Sequence, residues 1–247
     1  MYIYNNEKRP MKNKPELIIA LDFPDIKKMM AALNALPSSI TWFKVGLELF
    51  TSSGEEALRI LNEKNKNIFL DLKLHDIPNT VASAIKSSLK YNPKLITIHA
   101  SGGEAMIKAA KQAASISGCN TPKVIAVTTL TSLNDQDLIV QGITRSLKNH
   151  VAEMAKMAIS AGADGIVCSP LEVSLLRQIV GHEPIIVTPG IRLPGNNTHD
   201  QKRISSPADA VRNGADFLVV GRSVLEDPSP SDVVIKILAE MKSASLS

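Results

Sequence analysis

The chain has 247 residues, 44% of them apolar and 21% charged, enough to bury a sizeable core in one domain without disulfides. Its net charge of +4 is the balance of 28 basic and 24 acidic residues spread along the chain, and aromatics are only 4%, which excludes a basic, aromatic-interleaved nucleic-acid platform. The longest apolar runs, such as Leu17–Leu21 and Phe217–Val220, are of strand length and exclude a membrane-spanning helix.

Residues 1–15 are polar, with Asn5, Asn6, Glu7, Lys8, Arg9 and two prolines, and lack the apolar core of a signal peptide. They are expected to form a flexible cytoplasmic leader, within which Met11 offers a second start, ahead of a catalytic domain over 16–247. Short strand-type runs then recur at Leu17–Asp22, Trp42–Gly46, Ile68–Lys73, Leu95–Ala100, Val124–Thr128, Gly165–Ser169, Ile185–Thr188 and Phe217–Gly221. Most are nearly continuous apolar runs, as parallel strands covered on both faces require. Segments of helical period lie between them, for example Ile26, Met29, Met30 and Leu33, then Val81, Ala84, Ile85 and Leu89, and finally Val233, Val234, Ile237, Leu238 and Met241. Eight alternating strand–helix units predict a single-domain (β/α)₈ TIM barrel. An open doubly wound sheet is the alternative, but no glycine-rich dinucleotide fingerprint follows the first strand. Ala161-Gly162-Ala163-Asp164 and Asn213-Gly214-Ala215-Asp216 echo one another before strands six and eight, with each glycine placed as a left-handed helix cap. Cys119 and Cys168 match no disulfide framework or metal spacing and read as small, reduced core residues.

Barrel active sites gather at the C-terminal ends of the strands. There the first strand carries Asp22, the second Lys44, and the third ends Asp71-Leu72-Lys73-Leu74-His75-Asp76. Alternation puts Asp71 and Lys73 on one face and the leucines on the helix-facing side. A lone Asp-x-Lys reads first as a structural ion pair. Lys44 and Asp76 at the same mouth extend it to a Lys–Asp–Lys–Asp set, and four charges at a barrel rim point to catalysis instead. His99 reads first as a hydrogen-bonded core or supporting residue, and His75 joins the cluster only if its strand bends. His150, His182 and His199 are expected at the surface. After strand seven, the long loop from Pro189 to Arg203 reads as a lid. Strand eight runs into Gly221-Arg222-Ser223, where a glycine, the start of a short helix and a guanidinium suit a phosphate.

Asp71-Leu72-Lys73-Leu74-His75-Asp76-Ile77-Pro78-Asn79-Thr80 resembles the signature of the orotidine 5′-monophosphate decarboxylase family. Ala20-Leu21-Asp22, Phe43-Lys44-Val45-Gly46, His99-Ala100-Ser101-Gly102-Gly103, Leu130-Thr131-Ser132, Pro189-Gly190-Ile191-Arg192 and Val220-Gly221-Arg222 follow in the family's order. The resemblance implies conversion of orotidine 5′-monophosphate to UMP and CO₂, the last step of de novo UMP synthesis, with no metal and no cofactor. It implies that Asp22 and Lys44 contact ribose hydroxyls, Asp71 faces the scissile carboxylate, and Lys73 protonates C6. Thr131 would contact the pyrimidine, Arg192, Arg222 and the Gly221 amide the phosphate, and Gln201 would bridge lid and ligand. Asp76 and Thr80 would complete the partner's site in a homodimer. The alternatives are a Mg²⁺-dependent sugar-phosphate decarboxylase or aldolase, which shares the Asp-x-Lys-x-x-Asp spacing, and a non-catalytic phosphate-binding barrel.

Overall fold

The computed structural model describes residues 14–193 and 203–246. Most of the leader expected over residues 1–15 therefore lies outside the described residues, as do Met11, His199 and Gln201. The strands are β1 (Glu16–Ala20), β2 (Trp42–Gly46), β3 (Asn67–Leu74), β4 (Leu95–His99), β5 (Lys123–Val127), β6 (Gly165–Val167), β7 (Ile185–Thr188) and β8 (Phe217–Val220). All pair in parallel with their chain neighbours, and β8 returns to β1 to close the barrel. The helices are α1 (Ile26–Ala35), α2 (Leu47–Glu63), α3 (Pro78–Ser88), α4 (Gly103–Ala114), α5 (Asp135–Val140), α6 (Leu147–Ser160), α7 (Val173–Val180), α8 (Pro207–Arg212), α9 (Arg222–Leu225) and α10 (Pro230–Ser245). No helix among the described residues is long and apolar enough to cross a membrane.

Two-residue alternation sorts each strand between two apolar regions. Ile18, Ala20, Phe69, Leu95, Ile125, Val187 and Val219 fill the barrel interior, with Trp42 edge-on to Phe217 at 4.8 Å. Leu70 belongs to the outer core between strands and helices, against which Leu72 and Leu74 also pack. One step beyond the interior apolar layer, the same alternation brings Lys44 after Trp42, Asp71 after Phe69 and Thr97 after Leu95. The polar residues thus cap the barrel at its C-terminal end. Cys168 is fully buried, and burial pushes its thiol up to about 12, partly offset by Arg177 and Arg203. The side chain of Cys119 is outside the described set.

The echoed tetrapeptides form the same latch twice. Gly162 and Gly214 adopt φ of +98° and +101°, and the residues after them, Ala163 and Ala215, each donate a backbone bond at 3.0 Å to Ala158 and Ala210. Asp164 and Asp216 then accept the amides of Val124 and Ile186, at 2.8 and 2.7 Å, on the preceding strand. Each carboxylate also meets a helix-borne cation, Lys111 on α4 and Arg177 on α7. These latches tie helix to sheet at the end of the barrel away from the polar cap.

Candidate active site

A cavity of about 620 Å³ opens at the C-terminal end of the barrel. Its floor is apolar, with Phe69, Val167, Val187 and Val219. Asp22, Lys44, Asp71 and Lys73 form one wall, and Gly190, Arg192, Gly221 and Arg222 form another, with Leu130, Thr131 and Ser132 also on the lining. An apolar base beneath charged groups of both signs suits a small polar ligand with an apolar part.

The first wall is a continuous ion-pair chain. The Lys44 ammonium lies 2.8 Å from Asp22 and 3.6 Å from Asp71, and Lys73 bonds both Asp71 oxygens at 2.8 and 2.9 Å. Burial is the largest single influence on Asp71 and opposes its ionisation. Lys44, Lys73 and the Thr97 hydroxyl outweigh it, so the carboxyl is held below its usual value. Gly46 leaves room for the chain, because a Cβ there would stand 2.6 Å from the Lys44 ammonium and 2.9 Å from Asp22.

Asp71 and Lys73 meet as alternation predicts, but not through regular strand geometry. Lys73 has φ of +50°, and the β3–β4 register shifts between Leu70 and Leu74. The bend leaves the Lys73 amide facing the side chain of Thr97, whose hydroxyl accepts it at 2.8 Å and donates to Asp71 at 3.0 Å. Nothing in the sequence singled out Thr97. The bend also carries His75 to within 5.3 Å of the His99 ring. Burial, His75 and Lys73 lower the His99 pKa, with Asp71 opposing them.

Asp76 does not join this mouth within the chain. It and Thr80 are exposed and absent from the cavity lining, and the Asp76 carboxylate accepts the Ile77 amide at 2.7 Å. The reason is local: the chain has left the barrel after Leu74, and Pro78 opens α3 at its first turn. The four-charge set expected there is instead Asp22, Lys44, Asp71 and Lys73.

Elsewhere on the lining, the stem of the long loop is zipped together. Ile191 bridges Ser205, Arg192 donates its amide to Ser205 at 3.0 Å, and Ser205 donates to Gly190 at 3.2 Å. The buried Arg192 guanidinium bonds the Ile191 carbonyl at 2.8 Å, with Ser223 at 3.4 Å. Burial and nearby Arg222 depress its pKa, with Glu226 opposing. Arg222 is exposed at the start of α9. Gly221 sits tightly against β1, where a Cβ would approach Ala20 to 3.3 Å.

An ion pair between buried Glu172 and half-buried Arg203, which the sequence did not disclose, ties these rims together. Arg203 pairs with Glu172 and reaches the carbonyls of Leu130 and Thr131 at 3.3 and 3.5 Å. Glu172 in turn accepts the Ser169 amide at 2.9 Å. The loops after β5, β6 and β7 are thereby held by one guanidinium–carboxylate pair. Its members sit 31 positions apart in two irregular segments, so no local pattern exposes it.

A sequence profile described as the orotidine 5′-phosphate decarboxylase / HUMPS family matches residues 15–237. An orotidine 5′-phosphate decarboxylase of Fusobacterium nucleatum subsp. nucleatum is 44% identical over 231 residues, covering 92% of this chain and 97% of its own. One from Nostoc sp. is 46% identical over 220 residues, covering 87% and 92%. Among solved structures, orotidine 5′-phosphate decarboxylase from Lactobacillus acidophilus superposes with a TM-score of 0.81 at 37% identity, covering 93% of this chain and 99% of that one. An uncharacterised conserved protein from Geobacillus kaustophilus gives 0.80 at 33% identity, covering 91% and 99%.

Proposed function

The chain belongs to the orotidine 5′-phosphate decarboxylase / HUMPS family, and on that premise we propose that it converts orotidine 5′-monophosphate to UMP and CO₂ without metal or cofactor. The observation that carries the reading is the Asp22–Lys44–Asp71–Lys73 chain over an apolar floor, sharing one cavity with Arg192 and Arg222. The phosphate takes Arg192, Arg222 and the Gly221 amide, the ribose hydroxyls Asp22 and Lys44, and the pyrimidine Thr131. That orientation directs the C6 carboxylate at Asp71 and C6 itself at Lys73.

The chemistry explains the residue types. When the C6–carboxylate bond breaks, its electron pair stays on C6, which has no adjacent electron sink. An ammonium fixed at that atom stabilises charge that exists only near the transition state, and this is what raises kcat. Lys73 then donates its proton to form the C6–H bond and regains one from solvent. Asp71, kept ionised by its cationic neighbours, holds the Lys73 ammonium in place and Lys44 in line. A divalent cation fits poorly at this carboxylate. Lys73 bonds both of its oxygens and Lys44 stands 3.6 Å away, so a second cation is repelled. The same argument disfavours the Mg²⁺-dependent sugar-phosphate reaction.

Asp76 and Thr80 complete the site of a second copy in a homodimer. Their exposure, outside their own cavity and beside Ile77 at 67% exposure, supports this arrangement. The direct test of the whole reading is to incubate the purified chain with orotidine 5′-monophosphate. Loss of substrate absorbance with stoichiometric UMP is expected, and unchanged substrate overturns the proposal.

A further inference from the structure

Thr97 lies on β4, has no exposed surface, and is the one polar interior residue of that strand below His99. Its hydroxyl has two partners, and they are the two residues on which the proposed chemistry turns. It accepts the backbone amide of Lys73 at 2.8 Å and donates to Asp71 Oδ1 at 3.0 Å. The acceptor role matters because Lys73 is strained. A non-glycine residue at φ of +50° is disfavoured, and the register shift between Leu70 and Leu74 takes its amide out of the regular β3–β4 ladder. A buried amide without a partner is unfavourable, so something must bond it for the bend to persist. The donor role matters because an ammonium alone does not fix the rotation of a carboxylate. A third bond from a different strand does, and it aims Asp71 Oδ2 towards Lys44, 3.6 Å away.

We infer that Thr97 is a positioning residue for the decarboxylation: one hydroxyl holds the left-handed bend at Lys73 and the rotation of Asp71 together, so that the ammonium is presented to the substrate rather than to bulk water. The inference rests on the decarboxylase reading and adds to it a residue that does not touch the reacting atoms. Valine keeps the branched shape and the strand preference of threonine but offers neither acceptor nor donor. Serine restores both.

The test compares Thr97→Val and Thr97→Ser with the unmodified chain, in orotidine 5′-monophosphate turnover and in UMP binding by calorimetry. Thr97→Val is expected to lower kcat by about 10- to 100-fold, the factor carried by one lost hydrogen bond to a charged group. KM and UMP affinity should change by no more than about threefold, because the phosphate contacts that dominate binding are untouched. Thr97→Ser should recover most of the rate. A Thr97→Val chain that binds UMP and turns over at the unmodified rate overturns the inference, and so does a Thr97→Ser chain as slow as Thr97→Val. If Thr97→Val does not fold, Thr97→Ala takes its place with the same expectations. Failure of the unmodified chain to consume substrate would instead overturn the decarboxylase reading, and this inference with it.

Discussion

Replacing Lys73 with methionine keeps a long apolar stem in the cavity wall and removes only the ammonium. Asp71 then loses bonds of 2.8 and 2.9 Å but keeps the Thr97 hydroxyl at 3.0 Å and Lys44 at 3.6 Å. Breaking a fully buried pair from one side is destabilising by roughly 3–5 kcal/mol. The Lys73 side chain is 31% exposed and two partners of Asp71 remain, so about 1–2 kcal/mol is the expected loss. At this chain length that lowers Tm by about 2–8 °C and leaves the protein folded. Methionine carries a Cβ as lysine does, so the strain at φ of +50° is unchanged. The rate should suffer far more. Loss of a general acid alone removes about 10²–10⁴-fold, and loss of the fixed charge adds to it, so kcat should fall by at least about 10⁴-fold. Thermal melting, UMP calorimetry and the absorbance assay separate the effects. A folded, UMP-binding Lys73→Met chain within tenfold of normal kcat would refute the reasoning.

Arg222→Ala should lower kcat/KM for orotidine 5′-monophosphate by about 10- to 100-fold while barely affecting orotidine, which has no phosphate for the guanidinium to hold. An equal loss with both substrates would place Arg222 elsewhere in the mechanism. Lys73→Ala and Asp76→Asn homodimers should each be nearly inactive, and subunit exchange should restore activity by creating one site with both residues intact. Confirmed mixed dimers that stay inactive would contradict the shared site. Asp71 also predicts acid sensitivity. Its folded pKa lies below the ordinary 3.8, so its contribution to stability is complete above that value and is lost as pH falls through the lowered one. Asp71→Asn should therefore flatten the stability–pH curve below about pH 4. Denaturation midpoints with an unchanged acid slope would show that the carboxylate is not stabilised in this way.

The barrel was legible because parallel strands buried on both faces leave continuous apolar runs, and Trp42–Gly46 and Ile185–Thr188 match their predicted bounds. Other strands slip by a residue or two at their ends, where turn residues rather than burial decide the boundary. The left-handed glycines of the repeated Gly-Ala-Asp segments were legible because such a helix cap needs only adjacent residues, whereas Asp164 and Asp216 bind amides 40 and 30 positions away. Charged residues at strand ends disclosed Asp22, Lys44, Asp71 and Lys73. What escaped depended on contacts between distant segments. Period-two alternation cannot foresee the left-handed turn at Lys73, so it missed Thr97 as the amide's new acceptor. Glu172 and Arg203 meet only after three loops have converged. Of the loop from Pro189 to Arg203 read as a lid, residues 194–202, Gln201 among them, lie outside the described ones.

The central claim is that Lys73 and its neighbours decarboxylate orotidine 5′-monophosphate without a metal ion. The most direct measurement is the rate of substrate loss by the purified chain before and after exhaustive chelation with EDTA. An undiminished rate, unaffected by added Mg²⁺, is the predicted result. Activity that disappears on chelation and returns with Mg²⁺ would contradict the account and favour a metal-dependent reaction at the same cavity.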